Sequence, residues 1–190
     1  MVCFREYIKE SGEGRKILTI GNIKEMFNLL KKDCKPFLNE IRKKKGFMLR
    51  RSIRSEEYFL KIKPRKDRRP LDTDIESHKI LDKAFYNVFG WKARSEGVFA
   101  IPKGWSMDDH FFFPIGKYKY IWSPFVDDLF NTRRNIKDMK VKDLEDWIKK
   151  EEYTDKNMIN NKGYEMMFKC KQYLMKPSYI ENQNKLVIMH

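Results

Sequence analysis

The 190 residues carry 41 Lys and Arg against 27 Asp and Glu, a formal charge of +14, with 41% hydrophobic and 14% aromatic residues. That is enough chain for one domain, 1–190, burying roughly two thirds of its unfolded surface, and enough aromatic content to exclude a disordered basic tail. No apolar run approaches the ~20 residues that span a bilayer, and Met1-Val2-Cys3-Phe4 begins no signal peptide, so the expectation is a cytoplasmic protein without a membrane partner.

Along the chain, Gly12 and Gly14 mark a loop with a short strand before Gly21. Asn22 with Glu25 reads as a capping box. Apolar residues at Ile23, Met26, Phe27, Leu30, Cys34, Phe37, Leu38 and Ile41 have helical spacing, in one long helix or two joined near Pro36, stopped by Gly46. Phe47 to Arg50 and Tyr58 to Lys63 are predicted strands. A helix from Thr73 or Asp74 to Gly90 buries Ile80, Leu81, Ala84, Phe85 and Val88. Val98 to Ile101 is a strand, and Phe111 to Trp122, interrupted by Pro114 and Gly116, is a bent strand or hairpin. A helix over Val141–Glu151 presents Leu144, Trp147 and Ile148. Met166 to Phe168 and Tyr173 to Met175 form a strand or short hairpin, and Leu186 to Ile188 a terminal strand. Helices scattered among short strands, without βαβ periodicity, predict an α+β fold with mixed or antiparallel strands.

Cys3, Cys34 and Cys170 are odd in number, far apart and without CxxC spacing, which fits a reducing compartment and argues against disulfides or a zinc site. There is no GxGxxG, Walker loop, HExxH or Gly-x-Ser-x-Gly. From Arg42 to Arg69, thirteen Lys or Arg stand against three acids. Such a surface either keeps the protein soluble or attracts phosphate backbones.

Several residues could carry chemistry. Arg50 follows three apolar residues, and its fork of donors suits a diphosphate or carboxylate unless it alternates outward on an edge strand; Arg51 or Arg54 is expected to face solvent. Ser95, in Arg94-Ser95-Glu96-Gly97, orients an arginine or ribose hydroxyl, or caps a turn. Glu165 sits before Met166-Met167-Phe168, where a carboxylate can hold a ribose hydroxyl, stabilise positive charge on a sugar carbon, or face solvent. Asp72, Asp74, Glu76 and His78 read as a helix cap or, with Asp108, Asp109 and His110, as the divalent-metal site of a nuclease. The aromatics Phe111, Phe112, Phe113, Tyr118, Tyr120 and Trp122 alternate like core residues, with base stacking open to one or two of them.

Three of these pieces together resemble the ADP-ribosyltransferase fold family, especially its divergent phage and viral versions, over Asn22 to Tyr173. The helical segment ending in Gly46-Phe47-Met48-Leu49-Arg50 is similar to the approach to that family's first core strand, Arg94-Ser95-Glu96-Gly97-Val98-Phe99 to its serine element, and Tyr164-Glu165-Met166-Met167-Phe168 to its glutamate element. The resemblance implies an NAD-consuming enzyme in which Arg50 clamps the pyrophosphate or adjacent ribose. Ser95 would orient Arg50 or the nicotinamide ribose, and Glu165 would hold the 2′-hydroxyl and stabilise the oxocarbenium-like centre. Phe99, Tyr118 and Tyr120 are candidates to stack on nicotinamide.

Two departures accompany the resemblance. Arg51 stands where many relatives have Gly, crowding the nicotinamide side, and position 163 is Gly instead of the acidic or amide residue that helps select the acceptor. The second departure argues against arginine-directed modification and leaves a nucleic acid, another protein residue or lost activity open, in the host cytoplasm if the chain is viral. The alternative reading is a non-catalytic nucleic-acid-binding or virion-associated protein that uses the Arg42–Arg69 region.

Overall fold

The computed structural model describes residues 16–19, 23–52, 59–65, 73–102, 109–129 and 136–177. The expected terminal strand at Leu186–Ile188, the Asn22 cap and most of the Pro64–Thr73 loop lie outside the described residues.

After β1 (Lys16–Thr19) come two helices, α1 (Ile23–Asp33) and α2 (Lys35–Ile41). They part at Cys34 because Pro36, in the first turn of α2, has no N–H to continue the preceding ladder. Met26, Leu30, Cys34, Phe37, Leu38 and Ile41 form the buried stripe that the spacing requires. Gly46 then reverses the chain at φ 77, a conformation that suits glycine. β2 (Arg50–Ser52) and β3 (Leu60–Lys63) follow.

α3 (Ile75–Phe89) has its expected caps. The Asp74 carboxylate accepts from the Glu76 and Ser77 amides at 3.1 and 2.9 Å, and Gly90 closes the helix at φ 75. Leu81, Ala84 and Phe85 are fully buried, while Ile80 and Val88 are only partly so. A one-turn helix, α4 (Ala93–Glu96), occupies what reads in the sequence as a turn, and leads into β4 (Val98–Ala100). β5 (Asp109–Pro114), β6 (Tyr118–Trp122), α5 (Val141–Lys150), β7 (Met166–Cys170) and β8 (Tyr173–Pro177) complete the order.

All strand pairs among the described residues are antiparallel. One sheet has the order β1-β3-β8-β5-β2, the other β4-β7-β6. Neither apparent hairpin is one. β5 and β6 are joined by the Gly116 turn (φ 68), yet pair in different sheets, and β7 and β8 divide in the same way after the Lys171–Gln172 turn. Each of these links carries the chain from one layer to the next. A fourth strand effectively joins the smaller sheet, because Arg50 and Ile101 form an antiparallel bridge between β2 and the end of β4.

Side-chain alternation then sorts the layers. Phe112 of β5 packs on Phe168 of β7 at 5.2 Å between ring centroids, while its neighbour Phe113 meets Phe37 of α2 at 6.2 Å. Phe37 also meets Tyr118 of β6 at 5.9 Å, so α2 packs on both sheets, and α1, α2 and the two sheets share a first core. In the smaller sheet, Val98, Ala100, Tyr120, Trp122, Met166 and Phe168 face that first core. Phe99, Ile121 and Met167 face a second core built with Leu81, Phe85, Trp91, Leu144, Trp147 and Ile148 of the α3 and α5 region. The result is an α+β fold in which the smaller sheet separates the core shared with α1, α2 and the larger sheet from the core shared with α3 and α5. No helix of the described residues is long and apolar enough to cross a membrane.

Candidate functional site

The end of β4 is where the candidate residues come together. Arg50 N–H donates to the Ile101 carbonyl at 2.7 Å, and Ile101 N–H returns a bond to Arg50 at 2.9 Å. Ala100 is paired with Met166, so one more step of that antiparallel register sets Ile101 opposite Glu165. Directly opposed residues share a face. Extending that register by one residue lines up Arg50, Ile101 and Glu165 across β2, the end of β4 and the residue before β7, with Arg50 and Glu165 two strand spacings, about 10 Å, apart at the backbone.

Glu165 is 6% exposed. Its amide donates to the Asp127 carbonyl at 3.1 Å, and the loop before it is shaped by Asn161, whose Oδ1 accepts from the Gly163 and Tyr164 amides at 2.9 and 2.8 Å. Gly163 adopts φ 143, which strains any residue with a Cβ. That backbone requirement accounts for glycine at the position where the resembled family places an acidic or amide side chain.

Arg50 is half-buried, with its guanidinium 5.0 Å from the centroid of the Phe111 ring. Arg51 does not face solvent as expected. It is 1% exposed, turned between the two sheets, where Nη1 donates to the Phe99 carbonyl at 2.7 Å. Strand alternation sends it to the face opposite Arg50, so it does not crowd the Arg50–Glu165 row.

Ser95 lies at the other end of β4, in α4. Its hydroxyl donates to Asp82 Oδ2 and lies 2.9 Å from His78 Nε2, while Asp82 Oδ1 accepts from the Arg94 and Ser95 amides at 2.9 and 3.1 Å. This is a buried anchor for α4, and it holds Ser95 away from the Arg50–Glu165 row.

The three aromatic candidates also separate. Phe99 shares the sheet face of Ile101 and Glu165, but is 2% exposed and covered by the Arg94 guanidinium at 5.2 Å. Tyr118 and Tyr120 face the other core and donate to Glu40 at 2.6 and 3.1 Å. Burial raises both phenols above their ordinary range, helped at Tyr118 by the Glu40 hydrogen bond; Tyr120 is pushed up to about 12, partly offset by the Met158 amide.

Among the described residues, no group of three His, Cys, Asp or Glu is placed to hold a metal ion. Asp74 is engaged as the α3 cap, where hydrogen bonds from the Ser77 side chain and amide hold its carboxyl below the usual range, and His78 is engaged with Ser95. Asp72, Asp108 and the Asp109 side chain lie outside the described residues.

Sequence reasoning passed over Arg94 and Asp82, and also Lys117, Lys119, Lys169 and Lys171, which line open clefts at the far end of β7. The alternation Lys117-Tyr118-Lys119-Tyr120 is the signal that could have drawn attention to the lysines. Compared with protein-family models, curated proteins and solved structures, the chain matches none.

Proposed function

We propose that the chain is an ADP-ribosyltransferase-like enzyme that takes NAD as its substrate. The observation that carries this reading is the row Arg50–Ile101–Glu165 across β2, β4 and β7. On this reading the Arg50 guanidinium, which rests on the Phe111 ring, swings off it to meet the diphosphate, and the Glu165 carboxylate meets the nicotinamide ribose. Arg50 binds the anionic bridge through charge-assisted hydrogen bonds. Glu165 accepts from the 2′-hydroxyl and stabilises positive charge at the anomeric carbon as the glycosidic bond breaks. Nicotinamide departs neutral with the bonding electron pair, and the acceptor's nucleophile attacks that carbon and loses its proton to solvent or to a nearby base. Ser95, Tyr118 and Tyr120 have no part in this reading, since their polar atoms are engaged elsewhere.

The test is release of nicotinamide from NAD by the wild type and by Glu165→Gln, with and without cellular protein and RNA. Loss of release by about a hundredfold or more in the variant, at unchanged melting temperature, supports the assignment. Equal release by both proteins sinks it.

A further inference from the structure

Two open clefts flank the turn between β7 and β8. One, of about 750 Å³, runs between Pro36 and Glu40 of α2, the Gly116–Tyr120 segment, and Lys169, Cys170 and Lys171. The other, of about 680 Å³, runs between Lys63, Pro64 and Arg65, Glu96, and Lys169 to Gln172. They share Lys169, Cys170 and Lys171, and so adjoin across the turn.

Among the described residues, six that carry cations, Lys63, Arg65, Lys117, Lys119, Lys169 and Lys171, line this trough against two that carry carboxylates, with Lys119 and Lys169 alternating to the face of β6 and β7 opposite Tyr118 and Cys170. Both carboxylates are engaged: Glu40 accepts from Tyr118 and Tyr120, and Glu96 pairs with Lys169 at 2.5 Å. Lys119 and Lys169 stand directly opposite in the β6–β7 register. Like charges in that position oppose strand pairing; the Glu96 ion pair accounts for Lys169 but not for Lys119. Lys117, Lys119 and Lys171 are exposed, and the half-buried Tyr118 ring forms part of the wall.

We infer that this trough binds single-stranded nucleic acid, its lysines neutralising successive phosphates and Tyr118 offering a base a stacking face. Basic grooves walled by an aromatic ring are how sequence-tolerant single-strand binders work. A flexible strand can follow a concave path over the turn, which a stiff duplex cannot. A lipid surface is flat and engages apolar side chains together with basic ones, whereas these lysines sit in clefts. The trough lies at the opposite end of β7 from Glu165, about 17 Å away by strand rise. Binding there needs neither NAD nor Glu165, so the inference stands apart from the enzymatic reading. It also shifts the polyanion surface from the Arg42–Arg69 stretch as a whole to a trough that takes only Lys63 and Arg65 from it.

The experiment is fluorescence anisotropy with a labelled single strand of about twelve nucleotides, RNA or DNA, titrated at several salt concentrations. Three proteins are compared: wild type, the cleft triple Lys117→Gln, Lys119→Gln, Lys171→Gln, and the control triple Lys24→Gln, Lys149→Gln, Lys150→Gln. All six positions are exposed, and both triples lose the same charge. The cleft triple is expected to bind about tenfold or more weakly at low salt, with a log–log salt slope shallower by roughly 2, at about 0.7 per lost phosphate contact. The control should stay near wild type. If the cleft triple melts early, Lys171→Glu on the exposed turn carries the same expectation of weakened binding. The inference is overturned by equal loss in both triples or by no salt-sensitive binding to the wild type. It is likewise overturned if duplex or phosphatidylserine vesicles displace the probe as well as unlabelled single strand does.

Discussion

Arg50 and Ile101 exchange both of their backbone hydrogen bonds, and this pair stitches the five-stranded sheet to the three-stranded one. The stitch belongs to the main chain and the proposed diphosphate contact to the Arg50 side chain, so the two can be separated by substitution. Arg50→Ala keeps both amide bonds. It is expected to retain the wild-type melting temperature to within a few degrees while losing nicotinamide release. Ile101→Pro removes the returning N–H and is expected to cost about 3 kcal/mol or more, visible as an earlier urea midpoint. If Arg50→Ala released nicotinamide at the wild-type rate, the guanidinium would have no part in binding the diphosphate.

Ser95 gives the opposite expectation. Its hydroxyl donates to Asp82 within the cluster that also takes the Arg94 and Ser95 amides, at the end of β4 remote from Glu165. Ser95→Ala should therefore lower stability by about 1–3 kcal/mol, since Asp82 is left buried with one donor fewer. The rate of nicotinamide release per folded molecule should not change. A large fall in that rate with an unchanged urea midpoint would restore Ser95 to the reaction.

Local signals in the sequence are legible where they depend on neighbours along the chain. Asp74 and Gly90 bound α3, Pro36 divides α1 from α2, and the apolar stripes of α1, α2 and α5 are those the periodicity demands. Strand partners are a different matter. The segments around Phe111–Trp122 and Met166–Met175 alternate correctly, but alternation assigns faces and not neighbours, and both tight links turn out to join different sheets.

The candidate site divides in the same way. Arg50 and Glu165 can each be singled out from an apolar strand with a charge at its end. Their common row depends on Ile101, which has no polar atom in its side chain to attract notice. The inward turn of Arg51 could not be anticipated, because its carbonyl partner belongs to Phe99, 48 residues away.

Arg94 is 1% exposed, and its Nε and Nη1 have no hydrogen-bond partner among the described residues. The remaining Nη2 reaches Thr73 Oγ1 at 3.2 Å, and the guanidinium lies against the Phe99 ring. A buried charge held by one hydroxyl and one ring face recovers little of its lost hydration. Arg94→Met fills a similar volume without that cost and is expected to raise stability by about 1 kcal/mol or more, read as a higher urea midpoint. A lower midpoint would mean that the guanidinium contributes more in place than its visible partners account for.

Alkali should unfold the protein through groups that stay protonated only in the folded state. Burial pushes the Cys34 and Cys170 thiols from 9.0 up to about 12, with Asp33 adding to the shift at Cys34 and Arg51 opposing it at Cys170. The Tyr120 phenol moves from 10.0 to about 12. Between those values the folded chain holds protons that the unfolded chain has released. By linkage, stability then falls as pH rises. The contribution of the thiols is fully present below about pH 9 and disappears as pH climbs through about 12. The decisive quantity is a difference between two proteins that differ only at the two thiols. Cys34→Ala with Cys170→Ala is expected to start from a lower urea midpoint at neutral pH, because Cys34 fills core space, and then to lose less than the wild type between about pH 8 and pH 11. Parallel curves for the two proteins would show that neither thiol holds its proton more tightly in the folded chain.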